Sequence, residues 1–357
     1  MLIKHLELFA GIGGFRRGFE LLEKDYQDIQ TKCIGFSEID PWAKKTYNAN
    51  YSTDSIDIGD IVEFASDKNN IISLPDFDIL TGGFPCQSFS MMGKKHGFKD
   101  VRGNVFFQIL EILKYKEPKF VLLENVRNLK THDKGHTFEI ILESLHNLGY
   151  NNIFFDIFNT GSFGLAQTRN RIYIFASKKP LPPNFCFNSK VVYDSFAPIL
   201  NSTSLLKQKT TLDILEKEVE QKYYLSDALK TTILSDGTKK FKSKSEINLL
   251  TARPLTATMV KMHRACQDNY FSKDFIANPK EYMAKPHTKE EIAKEEIRKI
   301  TPKEALALQG FDEEFFARAQ KAGVSNHQLY KQAGNAASVN TVYAILYYIF
   351  VINKIME

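Results

Sequence analysis

The chain has 357 residues, of which 43% are hydrophobic and 25% charged, and its formal net charge is +5. This composition excludes a disordered chain, and the mild basic excess is compatible with a polyanionic partner without establishing one. The four cysteines, Cys33, Cys86, Cys186 and Cys266, form no CxxC pair, so neither a metal site nor a disulfide framework is expected. The amino terminus lacks the apolar core of a signal peptide, and the longest apolar run, Ala344 to Ile352, is too short to span a membrane. A cytoplasmic location is therefore expected.

The first segments of the chain predict a strand, a glycine-rich turn and a helix. Leu2 to Phe9 has the pattern of a strand, Ala10 to Gly14 supplies the glycines, and Phe15 to Leu22 has helical spacing. This arrangement lets backbone N–H groups and the start of a helix approach a ligand closely. Taken alone, such a turn is weak evidence, because many are only tight connections.

Two acidic turns follow. Cys33 to Ser37 predicts a second strand ending at Glu38, and Asp60 lies in the later turn Gly59-Asp60-Ile61. An acidic residue at the tip of the second strand is where nucleoside-binding folds hydrogen-bond a ribose. For Glu38 or Asp60 alone, helix capping or solvation is the favoured alternative. The three features in this order favour a nucleoside cofactor.

A cysteine then follows a proline in Gly82-Gly83-Phe84-Pro85-Cys86-Gln87-Ser88-Phe89-Ser90, directly after the strand predicted over Asp78 to Thr81. A strand that ends in two glycines places the next residues on a loop at the carboxyl edge of a sheet, where open α/β proteins carry reactive groups. Pro85 fixes φ and so restricts the direction of the thiol. The alternative is a buried free cysteine in a strand-to-helix turn.

The next predicted helix is Val105 to Lys116, followed by the continuously apolar strand Phe120 to Leu123. Such a strand is typical of a parallel sheet buried on both faces. It would bring Glu124 to the same edge as Cys86, and burial there would raise the pKa of the Glu124 carboxyl. A capping or structural carboxylate is the alternative for Glu124.

A helix over Thr137 to Leu148 and strands over Ile153 to Phe158 and Ile172 to Ala176 complete the regular alternation. Arg169 and Arg171 are two residues apart, so an extended segment would place both side chains on one face. Two arginines at a sheet edge suit a carboxylate, a phosphate or a carbonyl oxygen, and solvated surface arginines are the alternative.

The remainder of the chain is irregular after a linker at Lys178 to Pro183. Lys239 to Lys244 is a basic stretch beside an aromatic residue, which suits phosphate contact or a solvated loop equally. Thr288 to Lys299 is expected to be an exposed, charge-rich helix. The apolar segment Val339 to Ile352 is expected to be a buried helix that packs back on the first sheet.

Together these segments resemble the cytosine-5 DNA methyltransferases of bacterial restriction–modification systems. The resemblance covers Leu6 to Ala176 and about Ile297 to the carboxyl terminus. It is carried by Phe9-Ala10-Gly11-Ile12-Gly13-Gly14, Phe84-Pro85-Cys86-Gln87, Glu124-Asn125-Val126, Gln167-Thr168-Arg169-Asn170-Arg171, Ile300-Thr301-Pro302-Lys303-Glu304-Ala305, Gln309-Gly310-Phe311 and Gly334-Asn335-Ala336.

The resemblance implies an α/β fold, with a Rossmann-like S-adenosylmethionine-dependent methyltransferase sheet and a second, smaller, irregular target-recognition domain. The catalytic domain would comprise residues 1–184 completed by 331–357, and the recognition domain with its hinge residues 185–330. The implied partners are S-adenosylmethionine, double-stranded DNA and a separately acting restriction endonuclease. A monomer is expected.

The resemblance also implies catalytic roles. The Cys86 thiolate would add to carbon-6 of cytosine, which is covalent catalysis and makes carbon-5 nucleophilic. Glu124 would hydrogen-bond or protonate ring nitrogen-3, Arg171 would hold the base carbonyl oxygen, and Arg169 would order the pocket and its charge. Because the target atom is unreachable inside a duplex, the base would have to be flipped out.

The implied binding residues form two sets. Those lining the cofactor would be Phe9, Ala10, Gly11, Gly13, Gly14, Glu38, Ile39, Asp60, Ile61, Pro85 and Asn335. Those contacting DNA would be Gln87, Ser90, Arg253 and Thr256. Ile39 stands where many relatives carry an aromatic ring, and the family's recurring threonine in the recognition domain could be Thr256 or Thr258.

Three other interpretations compete. A tRNA cytosine methyltransferase would carry a Cys-Phe-Thr tripeptide, and Cys186-Phe187-Asn188 is the nearest approach to it. A non-catalytic DNA-binding relative would lack Cys86, Glu124 or the arginines, and a nicotinamide dehydrogenase would give Cys86 and Glu124 no role. The DNA sequence recognised cannot be read from residues 185–330, because readout depends on which side chains reach the groove edges.

Overall fold

A computed structural model describes residues 1–85, 105–238, 240–259 and 265–356. The chain divides into two compact units. The first unit comprises Met1–Phe163, Asn170–Leu205 and Ala337–Glu357, and the second comprises Gly164–Arg169 and Leu206–Ala336.

The first unit is built on a seven-stranded sheet in the order β3-β2-β1-β4-β5-β7-β6. Strands β1 to β5 are parallel to one another, whereas β7 is antiparallel to both β5 and β6. The strands are β1 (Leu2–Leu8), β2 (Gln30–Phe36), β3 (Ile56–Asp57), β4 (Ile79–Gly83), β5 (Phe120–Val126), β6 (Asn152–Asn159) and β7 (Asn170–Ser177). Phe120 to Leu123 are fully buried, as the continuous apolar run predicts for a strand covered on both faces.

Helices pack on this sheet, and their buried side chains complete the hydrophobic core of the first unit. They are α1 (Gly14–Asp25), α2 (Pro41–Asn50), α3 (Ile61–Phe64), α4 (Lys68–Ser73), α5 (Val105–Lys116), α6 (His136–Asn147) and α7 (Ser189–Phe196), with a last helix described below. Short 3-10 turns lie at Arg127–Gly135, Thr160–Phe163 and Leu200–Ser202. The predicted α/β fold is confirmed.

The second unit is less regular. Its elements are α8 (Asp227–Leu234), β8 (Gly237–Thr238), β9 (Phe241–Lys242), β10 (Tyr270–Ser272), α9 (Lys273–Ala277), α10 (Pro279–Met283), α11 (Lys289–Ile292), β11 (Ile297–Lys299), α12 (Pro302–Ala307), α13 (Glu313–Lys321) and α14 (Asn326–Asn335), with 3-10 turns at Thr211–Asp213 and Gln221–Tyr223. The expected helix over Thr288 to Lys299 is therefore wrong beyond Ile292. Ile297 is fully buried and its strand pairs with β10, so tertiary burial overrides the helical charge pattern.

A buried ion pair holds the middle of the second unit. Arg298 Nη1 and Nη2 donate to Glu304 Oε2 and Oε1 at 2.9 and 2.7 Å. The carboxylate also accepts from the backbone N–H groups of Thr301 and Glu216. A buried charge pair needs this many hydrogen bonds to offset its desolvation. The segment Ile300 to Ala305, which carries part of the family resemblance, therefore stabilises the second unit through this ion pair.

The last helix belongs to the first unit. α15 (Val339–Leu346) is buried along its whole length, and a π-helical turn continues it over Tyr347–Ile352. A Cβ at Gly18 would lie 2.7 Å from Val342, so glycine allows α1 to approach α15 closely. The Phe350 ring lies 6.3 Å from that of Phe120 in β5, which confirms that this segment packs on the sheet.

The stretch Asn326–Ile352 is long and apolar enough to cross a membrane by length and composition, but 78% of its apolar window is buried inside the protein. Residues 336–338 interrupt its helical hydrogen bonding. The apolar side chains of this stretch form protein core.

The two units divide the chain at positions that differ from the predicted domain boundaries. Residues 185–205 belong to the first unit because Val192 and Phe196 of α7 are buried there, with the Phe196 ring 6.0 Å from that of Tyr343. Residues 164–169 and 331–336 belong to the second unit. The division of labour between a catalytic and a recognition domain stays a prediction.

Candidate active site

The carboxyl edge of the sheet brings Glu124 and Arg171 together. β7 runs antiparallel to β5, and Arg171 pairs with Val126 while Tyr173 pairs with Glu124, so both side chains lie near the end of β5. Arg171 Nε lies 3.0 Å from Glu124 Oε1, and the two side chains are only 19% and 12% exposed. Arg171 Nη1 donates to the carbonyl of Asn170 at 2.9 Å. Within the described residues nothing accepts from Nη2, which leaves its N–H groups for a substrate.

The strand that leads to Cys86 lies directly beside this pair. Gly83 of β4 pairs with Glu124, and a Cβ at Gly83 would lie 3.3 Å from Glu124 Oε2. The Asn125 amide donates to the carbonyl of Phe84 at 2.7 Å, which fixes the backbone just before the exposed Pro85. Sequence analysis missed this role of Asn125; an amide next to Glu124 at a buried strand end was the available signal. Cys86, Gln87 and Ser90 lie outside the described residues.

Arg169 has partners different from those of Arg171. Its guanidinium donates to the carbonyl oxygens of Leu255, Gly334 and Ala336 at 2.9 to 3.1 Å, all within the second unit. The side chain is buried, and β7 begins only at Asn170. Arg169, one of the predicted catalytic residues, therefore holds the backbone segments at Leu255 and at Gly334 to Ala336 in position.

The glycine-rich turn after β1 is held by hydrogen bonds from its backbone. Phe9, with φ of +53°, donates its N–H to Ser37 Oγ at 3.0 Å, and Gly11 donates to Glu38 Oε2 at 2.8 Å. Gly13 requires glycine twice over, since its φ is +81° and a Cβ would lie 2.3 Å from the Tyr51 ring. At Gly11 a Cβ would meet nothing within 4 Å, so space adjoins the turn there.

The acidic turns are organised by their own carboxylates. Glu38 Oε1 accepts from the N–H groups of Ile39 and Asp40 at 2.8 and 2.7 Å, and Ile39 is 72% exposed. Asp60 accepts from the Val62 N–H at 2.8 Å and caps α3, which is the alternative considered for it, while Ile61 is buried. Ala10 and Gly14 are also buried. Asn335, the last residue of α14, belongs to the second unit and is exposed.

Behind the turn lies a buried carboxyl that sequence analysis missed. Glu7 Oε1 accepts from the N–H of Phe15 at 3.2 Å, and Glu7 Oε2 accepts from the Tyr47 hydroxyl at 3.3 Å. Burial raises the pKa of Glu7 to about 8, although Arg16 and these hydrogen bonds oppose the shift. Glu7 thus helps to fix the start of α1.

In the second unit the segment around Arg253 is tied to the protein. Arg253 Nε donates to the Cys266 carbonyl at 3.1 Å, and the Asn269 side chain accepts from the Arg253 N–H at 2.7 Å. The hydroxyl oxygens of the exposed Thr256 and Thr258 lie 3.4 Å apart. Both threonines thus occupy one exposed site, and the choice between them stays open.

The chain matches one known protein family, and this match identifies the class of protein. The family described as C-5 cytosine-specific DNA methylase matches residues 3–350. The chain belongs to this family. The methylase is 40% identical over 342 residues to the Type II methyltransferase M1.ScrFI of Lactococcus lactis subsp. cremoris, covering 96% of this chain and 76% of the relative. It is 35% identical over 344 residues to M.NlaX of Neisseria lactamica, covering 96% and 95%. Its enzyme class is therefore that of the Type II cytosine-C5 DNA methyltransferases.

Solved structures agree on the fold. The methylase matches the methyltransferase EhMeth of Entamoeba histolytica with a TM-score of 0.71 and 20% identity, over 99% of both chains. It matches the Dnmt2 methyltransferase of S. pombe with the same TM-score and 18% identity, also over 99% of both chains. At these identities the likeness concerns the fold alone.

The residues of the methylase fit the methyl donor that its family implies. Space adjoins Gly11 and also Gly59, where a Cβ would likewise meet nothing within 4 Å. The Glu38 carboxylate lies between these turns in the sequence, beside an apolar side chain, Ile39, that is left exposed. These features suit an adenosine-containing ligand. The Glu38 carboxylate could bind a ribose, the Ile39 side chain offers an apolar surface for a purine, and the glycine turns leave space. In the described residues, no group of three or more His, Cys, Asp or Glu side chains could hold a metal ion.

Proposed function

We propose that the methylase transfers a methyl group to carbon-5 of a cytosine flipped out of a short specific sequence in double-stranded DNA, through a covalent adduct with Cys86. The observation that carries the proposal is the Glu124–Arg171 pair at 3.0 Å, beside the strand that leads to Pro85 and Cys86. The Glu124 carboxyl and the Arg171 guanidinium, both largely buried at one sheet edge, would then both take part in the reaction.

Each residue of this edge has a defined task. The Cys86 thiolate attacks carbon-6 of the cytosine ring, which moves electron density to carbon-5. Glu124 donates a proton or hydrogen bond to ring nitrogen-3, and Arg171 donates from Nη2 to the base carbonyl oxygen while Nε orients Glu124. S-adenosylmethionine supplies the electrophilic methyl group. Loss of the carbon-5 proton to solvent, with cleavage of the bond between carbon-6 and sulfur, then expels the Cys86 thiolate and releases the methylated base.

The cofactor would be held by the turns after the first three strands. The N–H groups of Ala10, Gly11 and Gly13 are bonded within the protein, so the turn Ala10 to Gly14 would line the cofactor site by close backbone approach. The Glu38 carboxylate and Asp60 would supply polar contacts, and Phe9, Ile39, Ile61 and Pro85 apolar ones. Asn335 is assigned to the same set. Arg169 acts as a positioning residue, because its guanidinium is bonded to backbone carbonyls.

Recognition of DNA is assigned to the second unit and to Gln87 and Ser90. Thr256 is exposed and can therefore contact DNA. Arg253 is hydrogen-bonded to the Cys266 carbonyl through Nε, so it would contact DNA either with its other N–H groups or after giving up that bond. We further propose action as a cytoplasmic monomer beside a separate restriction endonuclease. This last point rests on the Type II names of the relatives.

The decisive experiment is transfer of tritium from labelled S-adenosylmethionine to unmethylated genomic DNA, followed by bisulfite mapping. Wild type should label one short sequence, and Cys86→Ser should abolish transfer. Cys186→Ser is the matched control, because Cys186 is an exposed free cysteine and should leave transfer unchanged. Labelling of tRNA but not DNA would favour the tRNA methyltransferase alternative, and undiminished transfer by Cys86→Ser would refute the covalent mechanism.

A further inference from the structure

The second unit contains a cavity of about 140 Å³ that the proposed reaction does not use. Its walls include Leu225, Leu255 and Ile300 together with Tyr223, Tyr270 and Tyr330. An engineered protein cavity of about 150 Å³ accepts a benzene molecule. The cavity is therefore large enough for one six-membered ring between largely apolar and aromatic walls.

One wall carries a buried carboxyl, one oxygen of which has no hydrogen-bond partner among the described residues. Asp268 is 6% exposed, and its Oδ2 makes no hydrogen bond within the described residues. Burial alone raises the pKa of Asp268 to about 7. Buried polar atoms are normally hydrogen-bonded, so this orphan atom indicates a ligand that supplies the missing bond. In its protonated form the carboxyl offers a donor and an acceptor side by side.

The lining also contains two lysines, Lys222 and Lys299, of which Lys222 is already ion-paired with Glu220 at 2.6 Å. The Lys299 ammonium lies 6.0 Å from the centre of the Tyr223 ring, and no carboxylate of the described residues forms an ion pair with it. Burial and the nearby Lys222 lower the pKa of Lys299. Neither lysine pairs with Asp268, and neither contributes to the pKa shift of that carboxyl. The cavity therefore has a cationic group, the Lys299 ammonium, that can bind an anion. It also has a carboxyl, that of Asp268, that can form hydrogen bonds and is not paired with either lysine.

We propose that this cavity binds a single cytosine nucleotide, with the base at Asp268 and the phosphate at Lys299. Cytosine carries an amino group that donates beside a ring nitrogen that accepts, and a protonated carboxyl complements both. The tyrosine and apolar walls suit the flat ring. A free cation is disfavoured by the Lys299 ammonium, and inorganic phosphate would leave Asp268 Oδ2 without a partner. The nucleotide is either free or an unpaired unit of a DNA strand.

The test is calorimetric titration of the full chain with dCMP, with the cofactor site saturated by S-adenosylhomocysteine. Wild type should bind more weakly at about pH 8 than at about pH 6, because the carboxyl ionises between them. Lys299→Met should weaken binding about tenfold through loss of a charged contact. Asp268→Leu should also weaken it about tenfold, whereas Asp268→Asn should retain binding and abolish the pH dependence, since an amide offers the same donor and acceptor.

Matched controls are Lys273→Met and Asp274→Asn, which alter exposed side chains of the same unit and should leave dCMP binding unchanged. No binding of dCMP, equal binding of ribose 5-phosphate, or insensitivity to the Asp268 and Lys299 substitutions would overturn the proposal. Retained binding by Asp268→Asn shows that the site still folds. Because no methyl transfer is measured, the result is independent of the proposed function.

Two competitors then distinguish the sources of the nucleotide. A duplex with one unpaired cytosine that displaces dCMP, where the fully paired duplex does not, would assign the site to a DNA strand. Competition by neither duplex, with dCMP still bound, would assign it to a free nucleotide.

Discussion

At the scale of single residues, the role proposed for Arg171 depends on the planar geometry of its guanidinium. Nε faces the Glu124 carboxylate at 3.0 Å and Nη1 is bonded to the Asn170 carbonyl. A lysine keeps the charge but has one ammonium in place of a planar set of donors. It cannot orient Glu124 and hold a base oxygen with the same geometry.

Arg171→Lys should therefore lower the rate constant for methyl transfer about 100-fold, the usual cost of one donor to developing charge. Dissociation constants for DNA should change far less. Single-turnover transfer and DNA binding, measured on the same preparation, separate the two effects. Arg318→Lys, at an exposed position, is the control. A transfer rate equal to that of wild type would exclude Arg171 from the reaction.

Glu7 gives a second prediction, about stability and pH. The pKa of Glu7 is raised from 4.5 to about 8 in the folded chain, so folding favours the protonated form. The stability due to this group is fully present below pH 4.5 and is lost as the pH rises through about 8. Glu7→Gln imitates the protonated carboxyl and cannot ionise.

The free energy of unfolding of Glu7→Gln, relative to wild type, should therefore rise by about 1.4 kcal/mol per pH unit across this interval. Urea denaturation at several pH values measures the difference. A constant difference between Glu7→Gln and wild type would mean that Glu7 is ionised in the folded protein.

At the scale of elements, Gly334 shows how one missing side chain lets two segments meet. A Cβ there would lie 2.2 Å from the Thr256 carbonyl carbon and 2.3 Å from the Ala257 nitrogen. Both atoms are backbone, so no rotamer change can relieve the contact. Arg169 fixes the same place by bonding the carbonyls of Leu255 and Gly334. The glycine and the arginine together hold the segment that carries Thr256.

Gly334→Ala should destabilise the protein by about 2 kcal/mol, because the backbone clash exceeds the gain of about 1 kcal/mol that alanine brings inside a helix. DNA binding should weaken as the Thr256 segment shifts. Gly59→Ala is the comparison, since it adds backbone strain at φ +69° but meets open space. It should cost about 1 kcal/mol and leave DNA binding intact. Equal DNA affinity of Gly334→Ala and wild type would show that the segment is not part of the DNA interface.

At the scale of the whole molecule, charge governs the encounter with DNA. The net charge is only +5, so long-range attraction is modest and local clusters decide where phosphates bind. Lys242 and Lys244 of the basic stretch are exposed, and Lys244 has Glu246 as an ion partner at 2.7 Å. Whether this stretch contacts phosphate or only solvent is open from the sequence, and salt dependence distinguishes the two.

Replacing Lys240, Lys242 and Lys244 by glutamine should reduce the slope of log K against log salt by about 0.9 for each DNA phosphate that the variant no longer neutralises. Fluorescence anisotropy of labelled duplex at several salt concentrations measures the slope. The control replaces Lys273, Lys280 and Lys294, which are exposed in the same unit. Equal slopes for the two triple variants would assign the stretch to solvent.

Local patterns in the sequence predict most strands and helices of the first unit, and they predict that Glu124 lies at the carboxyl edge of its sheet. Strand and helix signals are local: apolar runs such as Phe120 to Leu123 and turns such as Gly82-Gly83 depend on neighbours in the chain. Parallel strands bring their carboxyl ends to one edge, so the order of the segments is enough to place Glu124 beside the strand leading to Cys86. The ordered motifs were enough to identify the family, which covers residues 3–350.

Tertiary structure alone decided which partners the polar groups take. Asn125 bonding Phe84, Arg169 bonding backbone at Leu255 and Gly334, and Arg298 pairing with Glu304 depend on packing that no local pattern encodes. The same holds for β11, where burial of Ile297 overrides a helical charge pattern. It also holds for Asp268 Oδ2, which has no hydrogen-bond partner in the part of the chain that the structure describes. Long-range hydrogen bonds and burial are set by the fold as a whole, because a buried polar atom takes its partner from whichever segment packs against it.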